Sequence, residues 1–181
     1  MARLFAFLRA INVGGHTVTM DTLRGLFAEL GLKEVETFIA SGNVIFTSTG
    51  TSIPELERKI STHLEASLGF EVATFVRTAP ELVAIANFRP FPEARIRSAG
   101  AFCVGFLGRP LDAAAMRALA SLANPIDDFK AHGREVYWLC TKKQSESKFS
   151  NAVFEKTTGA RVTFRGANTV AKLAAKAAAR A

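Results

Sequence analysis

Apolar positions along this chain change period in a fixed order, and the order occurs twice. Residues 3–9 are almost continuously apolar, the pattern of a strand buried on both faces. Thr19 can cap a helix with Asp21 in its first turn. Leu23, Leu26, Phe27 and Leu30 then recur at helical spacing, and Gly31 stops the run. Residues 34–39 read as a strand, Ser41-Gly42 as a tight turn, and residues 43–47 as the returning strand. Ser52 and Glu55 have the spacing of a capping box around Pro54. Leu56, Ile60 and Leu64 form the next stripe, which ends at Gly69. Residues 71–77 close the series as a strand. The order is β-α-β-β-α-β, the ferredoxin-like arrangement.

The second half gives the same order. Residues 101–107 form a strand, and Asp112 caps a helix carrying Met116, Leu119 and Leu122. Residues 126–130 and 135–139 pair across a His132-Gly133-Arg134 turn. A helix runs from about Ser147 to Thr158, stopped by Gly159, and residues 161–164 make the last strand. A final helix from Asn168 carries Val170, Leu173 and Ala177. The predicted fold class is α+β, a tandem of two ferredoxin-like units with a C-terminal helix. The boundaries are 1–78 for the first unit, 79–99 for a connector and 100–181 for the second unit. The connector opens with a capping pair, Thr78 and Glu81, and continues through an extended segment holding Pro90 and Pro92.

In this topology the first and second strands of a unit run the same way, so their following loops share one end of the sheet. Arg9, Asn12, Gly14, Gly15 and His16 are therefore expected to face Ser41, Gly42 and Asn43. A cation, an amide and two glycines between a strand and a helix suit an anion, since glycines admit a ligand to backbone N–H groups. By the same logic Ser147, Lys148 and Asn151 are expected to approach Arg165, Asn168 and Thr169 in the second unit.

Composition narrows the classes. The chain is 49% hydrophobic and 22% charged, with no apolar run long enough to span a membrane and no signal-peptide pattern. Cys103 and Cys140 lie in strand-like runs and read as small buried side chains, which fits the cytoplasm. The net charge of +7 is uneven. Residues 1–90 carry 8 Lys and Arg against 9 Asp and Glu, whereas residues 142–181 carry 9 against 2. Such asymmetry points to polyanion contact, or to a solvated surface that aids solubility. His16, His63 and His132 have no metal-ligand spacing, and nucleotide, hydrolase and Cys-x-x-Cys motifs are missing, so no metal or cofactor is indicated. Asp127-Asp128 read as solvent-facing. Tyr137 and Trp138 alternate on a strand, so one ring is expected in the core and one outside it. An exposed aromatic there would suit RNA, but the RNA-recognition string is missing and core packing is the simpler reading.

The strings FLRAINVGGH, FIASGNVIF, NFRPFP, SKFSN and R-x-x-N-T-V together resemble the bacterial family catalogued as domain of unknown function 1697. The resemblance covers essentially the whole chain and implies a tandem of two related α/β units, with no assigned activity. Two positions depart from its pattern. Ala10 stands where the family usually has glycine, and Gly166-Ala167 follow Arg165 where it usually has Asn-Trp.

The sequence thus predicts a cytoplasmic anion-binding module that contacts nucleic acid or nucleotide phosphates. Its candidate ligand-binding residues are Arg9, Asn12, Gly14, Gly15, Ser41, Gly42, Asn43, Lys148, Asn151 and Arg165. An enzyme acting on a small phosphorylated or carboxylated metabolite is a second reading. A structural module, including a homodimer formed through its sheets, is a third. No base or nucleophile is legible, so catalysis stays open.

Overall fold

The computed structural model of the chain describes residues 1–50 and 52–179, without the side chains of residues 40 and 41. It divides into two compact units, Met1–Ala84 with Leu173–Ala181, and Ile85–Lys172. In the first, β1 (Ala2–Leu8), α1 (Met20–Glu29), β2 (Lys33–Phe38), β3 (Ala40–Ser48), α2 (Ile53–Leu68) and β4 (Thr74–Thr78) follow the predicted order. The strands make one antiparallel sheet, β2-β3-β1-β4. Alternation splits the central strand between two faces. Leu4, Ala6 and Leu8 join Leu23, Phe27, Ile60 and Leu64 of the helices in one core. Phe5 and Phe7 point the other way and are buried as well. Burial on both faces is why the run lacks a polar alternate.

Local chemistry sets the boundaries. Thr19 accepts a hydrogen bond from the Thr22 N–H at 3.1 Å and starts α1. Gly69, at φ 80°, ends α2 by returning its N–H to the Glu65 carbonyl. Ser52 takes the cap position of α2, but its side chain makes no capping bond, so the predicted box does not form and Pro54 alone pre-sets the first turn. The turn expected at Ser41-Gly42 is also displaced. Both residues lie in β3, and the chain reverses at Ile39, whose φ is 66°. The Asn43 amide, donating to the Phe38 carbonyl at 3.2 Å, ties the reversal at this earlier position. β4 starts at Thr74 rather than residue 71 because its last ladder partner is Leu8, the end of β1.

Two helices lead into the second sheet, α3 (Ala79–Asn87) and α4 (Glu93–Ser98). The capping pair holds: the Thr78 N–H donates to Glu81 Oε2 at 2.8 Å, and the Glu81 N–H donates to Thr78 Oγ1 at 3.3 Å. The extended segment after Asn87 is shorter than expected, since α4 follows Pro92 directly. β5 (Ala101–Phe106), α5 (Ala113–Ala120), β6 (Asp127–His132), β7 (Glu135–Cys140), α6 (Asn151–Thr158) and β8 (Thr163–Gly166) then repeat the series. The sheet order is β6-β7-β5-β8, antiparallel throughout. A last helix, α7 (Ala167–Ala178), buries Val170, Leu173 and Ala177. Met116 lies on the outer side of α5 and is 48% exposed, so it does not belong to the apolar stripe.

A shared device closes the outer strand of each sheet. Glu57 of α2 accepts the Val76 N–H at 2.7 Å, and Glu155 of α6 accepts the Val162 N–H at 3.2 Å. An arginine near the end of each outer strand, Arg77 or Arg165, donates to the carbonyl just before it. Backbone groups at a sheet edge otherwise need water or a partner chain, and these side chains supply what the ladder does not.

Asp127 corrects the solvent-facing expectation. It is 3% exposed and accepts from Trp138 Nε1 at 2.8 Å, Asn124 Nδ2 at 3.1 Å and Ser147 Oγ at 2.8–2.9 Å. Ser147 is therefore spent on Asp127, and Ser150 caps α6 by accepting the Val153 N–H. Both Tyr137 and Trp138 are buried, because each face of this sheet is covered. Cys103 and Cys140 are buried free thiols, and burial pushes Cys103 up to about 11. In the first unit, Glu36 on β2 receives Arg3 at 2.9 Å and Lys176 of α7 at 2.7 Å. Burial alone would raise the Glu36 carboxyl, but Lys176 and Arg3 outweigh it and hold it below the usual range.

Two outcomes follow. Asp127→Ala leaves the buried Trp138 Nε1 without its acceptor and lowers unfolding free energy by roughly 2 kcal/mol in urea titrations. Glu36 has a depressed folded pKa, so its contribution is present above the ordinary carboxylate pKa and is lost as pH falls through the folded value. Glu36→Gln accordingly flattens the acid limb of the stability profile, measured by thermal melts from neutral pH downward.

Candidate functional site

The chain leaves β1 by an unusual backbone path. The Arg9 N–H donates to the Ala73 carbonyl at 2.9 Å, extending the β4 side of the ladder by one residue. Beyond it, φ is positive at Ala10 (67°), Asn12 (58°), Gly14 (61°) and Gly15 (84°), but not at Arg9, Ile11 or Val13. Left-handed residues interspersed with residues of negative φ are a feature of the concave backbone nests that bind anions. Glycine at 14 and 15 answers this φ requirement rather than a lack of room, since an added Cβ would meet nothing within 4 Å. Ala10 occupies the same left-handed region, so its Cβ carries a strain that a glycine would not.

The loop is pinned at three points. Ile11 is buried, the Val18 N–H donates to Asn12 Oδ1 at 2.7 Å, and the His16 ring stacks on Phe70 with centroids 4.1 Å apart. Residues 12–17 between these anchors are exposed. The Phe7–Asn43 pairing sets Gly42 and Asn43 beside the end of β1. Asn43 is 1% exposed and bonded to Phe38, so it shapes the corner without offering its amide to solvent. Gly42 is buried in β3, and the side chain of Ser41 lies outside the described residues.

Sequence reasoning missed three exposed apolar side chains in this part of the first unit. Val13, Ile39 and Met20 are 56%, 55% and 44% exposed, in the loop, at the β2–β3 reversal and in the first turn of α1. For Ile39 the exposure comes with a φ that β-branched residues seldom adopt. The one sequence signal was that the chain must reverse somewhere near residue 40.

The second predicted cluster is not assembled. Lys148 is exposed in the segment before α6. Asn151 borders a recess with Trp138, Phe149 and Phe164. Phe164 packs in the core beneath α6, so Arg165, next on the strand, points to the opposite face. There Arg165 Nη1 donates to Thr163 Oγ1 at 2.7 Å and to the Phe164 carbonyl at 3.0 Å. Desolvation lowers its pKa to about 10. Its first role is to finish its own strand. Among the described residues, no three His, Cys, Asp or Glu side chains gather to hold a metal ion. No described helix is long and apolar enough to cross a membrane.

Comparison with known proteins places these features in a family. The chain is similar over 98% of its length, and 99% of the other chain's, to the conserved bacterial protein SP0830 from Streptococcus pneumoniae. The identity is 24% and the TM-score 0.74, so the likeness is one of fold. None of the curated proteins matches the chain. The model of the family described as "Protein of unknown function (DUF1697)" matches residues 1–137, and that span includes the corner and three-quarters of the chain: this protein is a member of the DUF1697 family.

Proposed function

We propose that this protein is a cytoplasmic anion-binding module whose corner after β1 holds a phosphate of a nucleic acid strand or a nucleotide. Its two halves, residues 1–78 and 100–181 joined by 79–99, are ferredoxin-like units in this reading. The βαββαβ order, and the inner position of β1 in the first sheet and of β5 in the second, support that assignment.

One observation carries the functional reading, the alternation of left-handed residues at Ala10, Asn12 and Gly14 with Arg9 at its root. A phosphate in that concavity would accept from backbone N–H groups and pair with a guanidinium, the stronger class of charge-assisted bond. Exposed Val13, Ile39 and Met20 give the corner apolar surface for the sugar or base of the same ligand. The left-handed conformation of Ile39 costs stability, and strain of this kind gathers at binding sites. The C-terminal basic excess contributes less to this reading than its charge suggests. Lys176 is paired with Glu36 and Arg165 with its own strand, while Lys142, Lys143, Lys148, Lys156, Arg161 and Lys172 stay exposed as peripheral cations.

Fluorescence anisotropy with a labelled single-stranded RNA and with a labelled nucleotide separates the two phosphate sources. Binding of either weakens about tenfold between about 50 and about 200 mM salt for a few phosphate contacts. Arg9→Ala weakens it by about another tenfold. No binding of either probe at high micromolar protein and low salt overturns the reading. Ile39→Asn, which suits a left-handed backbone, raises stability by about 0.5–1 kcal/mol and reduces affinity at the same time.

A further inference from the structure

The second unit contains a recess lined by none of the ten candidate ligand-binding residues; of the second predicted cluster only Asn168 borders it. Its floor is the face of the second sheet opposite α6, where Phe102 and Val104 of β5 lie beside Tyr137 of β7. Ile96 of α4 and Val170 of α7 form apolar walls, and the volume is about 170 Å³. A cavity of roughly 150 Å³ is large enough to take up benzene. The space therefore matches one six-membered ring rather than a nucleotide or a lipid chain.

Its surroundings favour a flat ring. Phe88 is tilted by 45° against Tyr137 with centroids 5.2 Å apart, and Phe102 lies at 27° to Tyr137 at 6.4 Å. These three rings line the recess, and aromatic pairs gain most in tilted or offset contacts. Phe88 is itself fixed, stacked on His132 at 4.1 Å and 10°. Where the recess opens, it is bordered by exposed Arg89, Glu93 and Asn168. Arg89 Nη1 donates to the Ala86 and Phe88 carbonyls, and its Nε lies 3.3 Å from Glu93 Oε2. The two charges cancel at the rim, while the Asn168 amide has no protein partner among the described residues. A rim of this kind suits a head group that both donates and accepts hydrogen bonds and bears no net charge.

We propose that this recess is a second, independent binding site for a small uncharged molecule made of one aromatic ring and an amide-like head. The ring lies against Phe88, Phe102 and Tyr137, and the head meets Asn168 and the outer edges of Arg89 and Glu93. The site does not depend on the phosphate reading of the β1 corner, and its ligand class carries no phosphate.

Benzamide is the probe, with cyclohexanecarboxamide as a control that keeps the head and loses the flat ring. In two-dimensional NMR of the full chain, benzamide shifts the amide signals of Val104, Tyr137 and Asn168 saturably in the millimolar range. The control shifts them several-fold less, and signals of residues 9–16 do not move. Ala167→Trp fills the recess from its border and abolishes the shifts. Ala171→Phe, on the exposed side of α7, is the second variant should the first fail to fold, and circular dichroism reports the fold of each. Absence of saturable shifts at these residues overturns the proposal. So does undiminished benzamide binding by a folded variant with the recess filled, or equal binding of the control.

Discussion

The exit of the chain from β1 constrains everything around the candidate site. A strand buried on both faces cannot turn gradually, because polar backbone would then run through the core. The chain instead reverses within a few residues by alternating the hand of its backbone, at a cost of about 1–2 kcal/mol for each non-glycine left-handed residue. Two such residues, Ala10 and Asn12, lie in the loop. The Asn12–Val18 bond and buried Ile11 offset part of that cost and keep the path fixed. What the solvent meets is an exposed backbone with several left-handed residues, pinned at Ile11, Asn12 and His16.

Charge behaves differently from what its distribution along the chain suggests. The basic excess of residues 142–181 is partly consumed inside the fold. Lys176 and Arg3 converge on Glu36, which ties the end of α7 to the first unit. Arg165 is desolvated and serves the end of β8, as Arg77 serves the end of β4. Net charge counts residues, whereas a partner meets only those left in water. The first half is nearly neutral by count but holds the corner with the more specific geometry.

Much of the fold was legible because local chemistry and global pattern agree at most boundaries. Thr19 and Asp112 cap where hydroxyl or carboxylate precedes an apolar stripe, and Gly69 and Gly159 end helices in the left-handed form. The illegible parts are those fixed by contacts distant in sequence. Ser41-Gly42 looks like a turn, but the Asn43 bond to Phe38 draws the reversal to Ile39. Asp127 looks like a surface acid until Trp138, Asn124 and Ser147 surround it. Arg9, Asn12 and the glycines were singled out from residue types and order, whereas the succession of positive φ values at Ala10, Asn12, Gly14 and Gly15 exists only in the backbone angles. Asn151 and Arg165 were grouped by shared loop ends, and strand alternation then sent them to opposite faces.

The central claim is that the backbone of residues 10–15 binds an anion, and a nitrogen-15 NMR titration with inorganic phosphate tests it at the atoms concerned. The amide signals of residues 10–15 are predicted to move downfield together along one saturable curve, with Arg9→Ala shifting that curve to higher phosphate. Amide signals at residues 10–15 that stay fixed while those elsewhere respond would contradict the account.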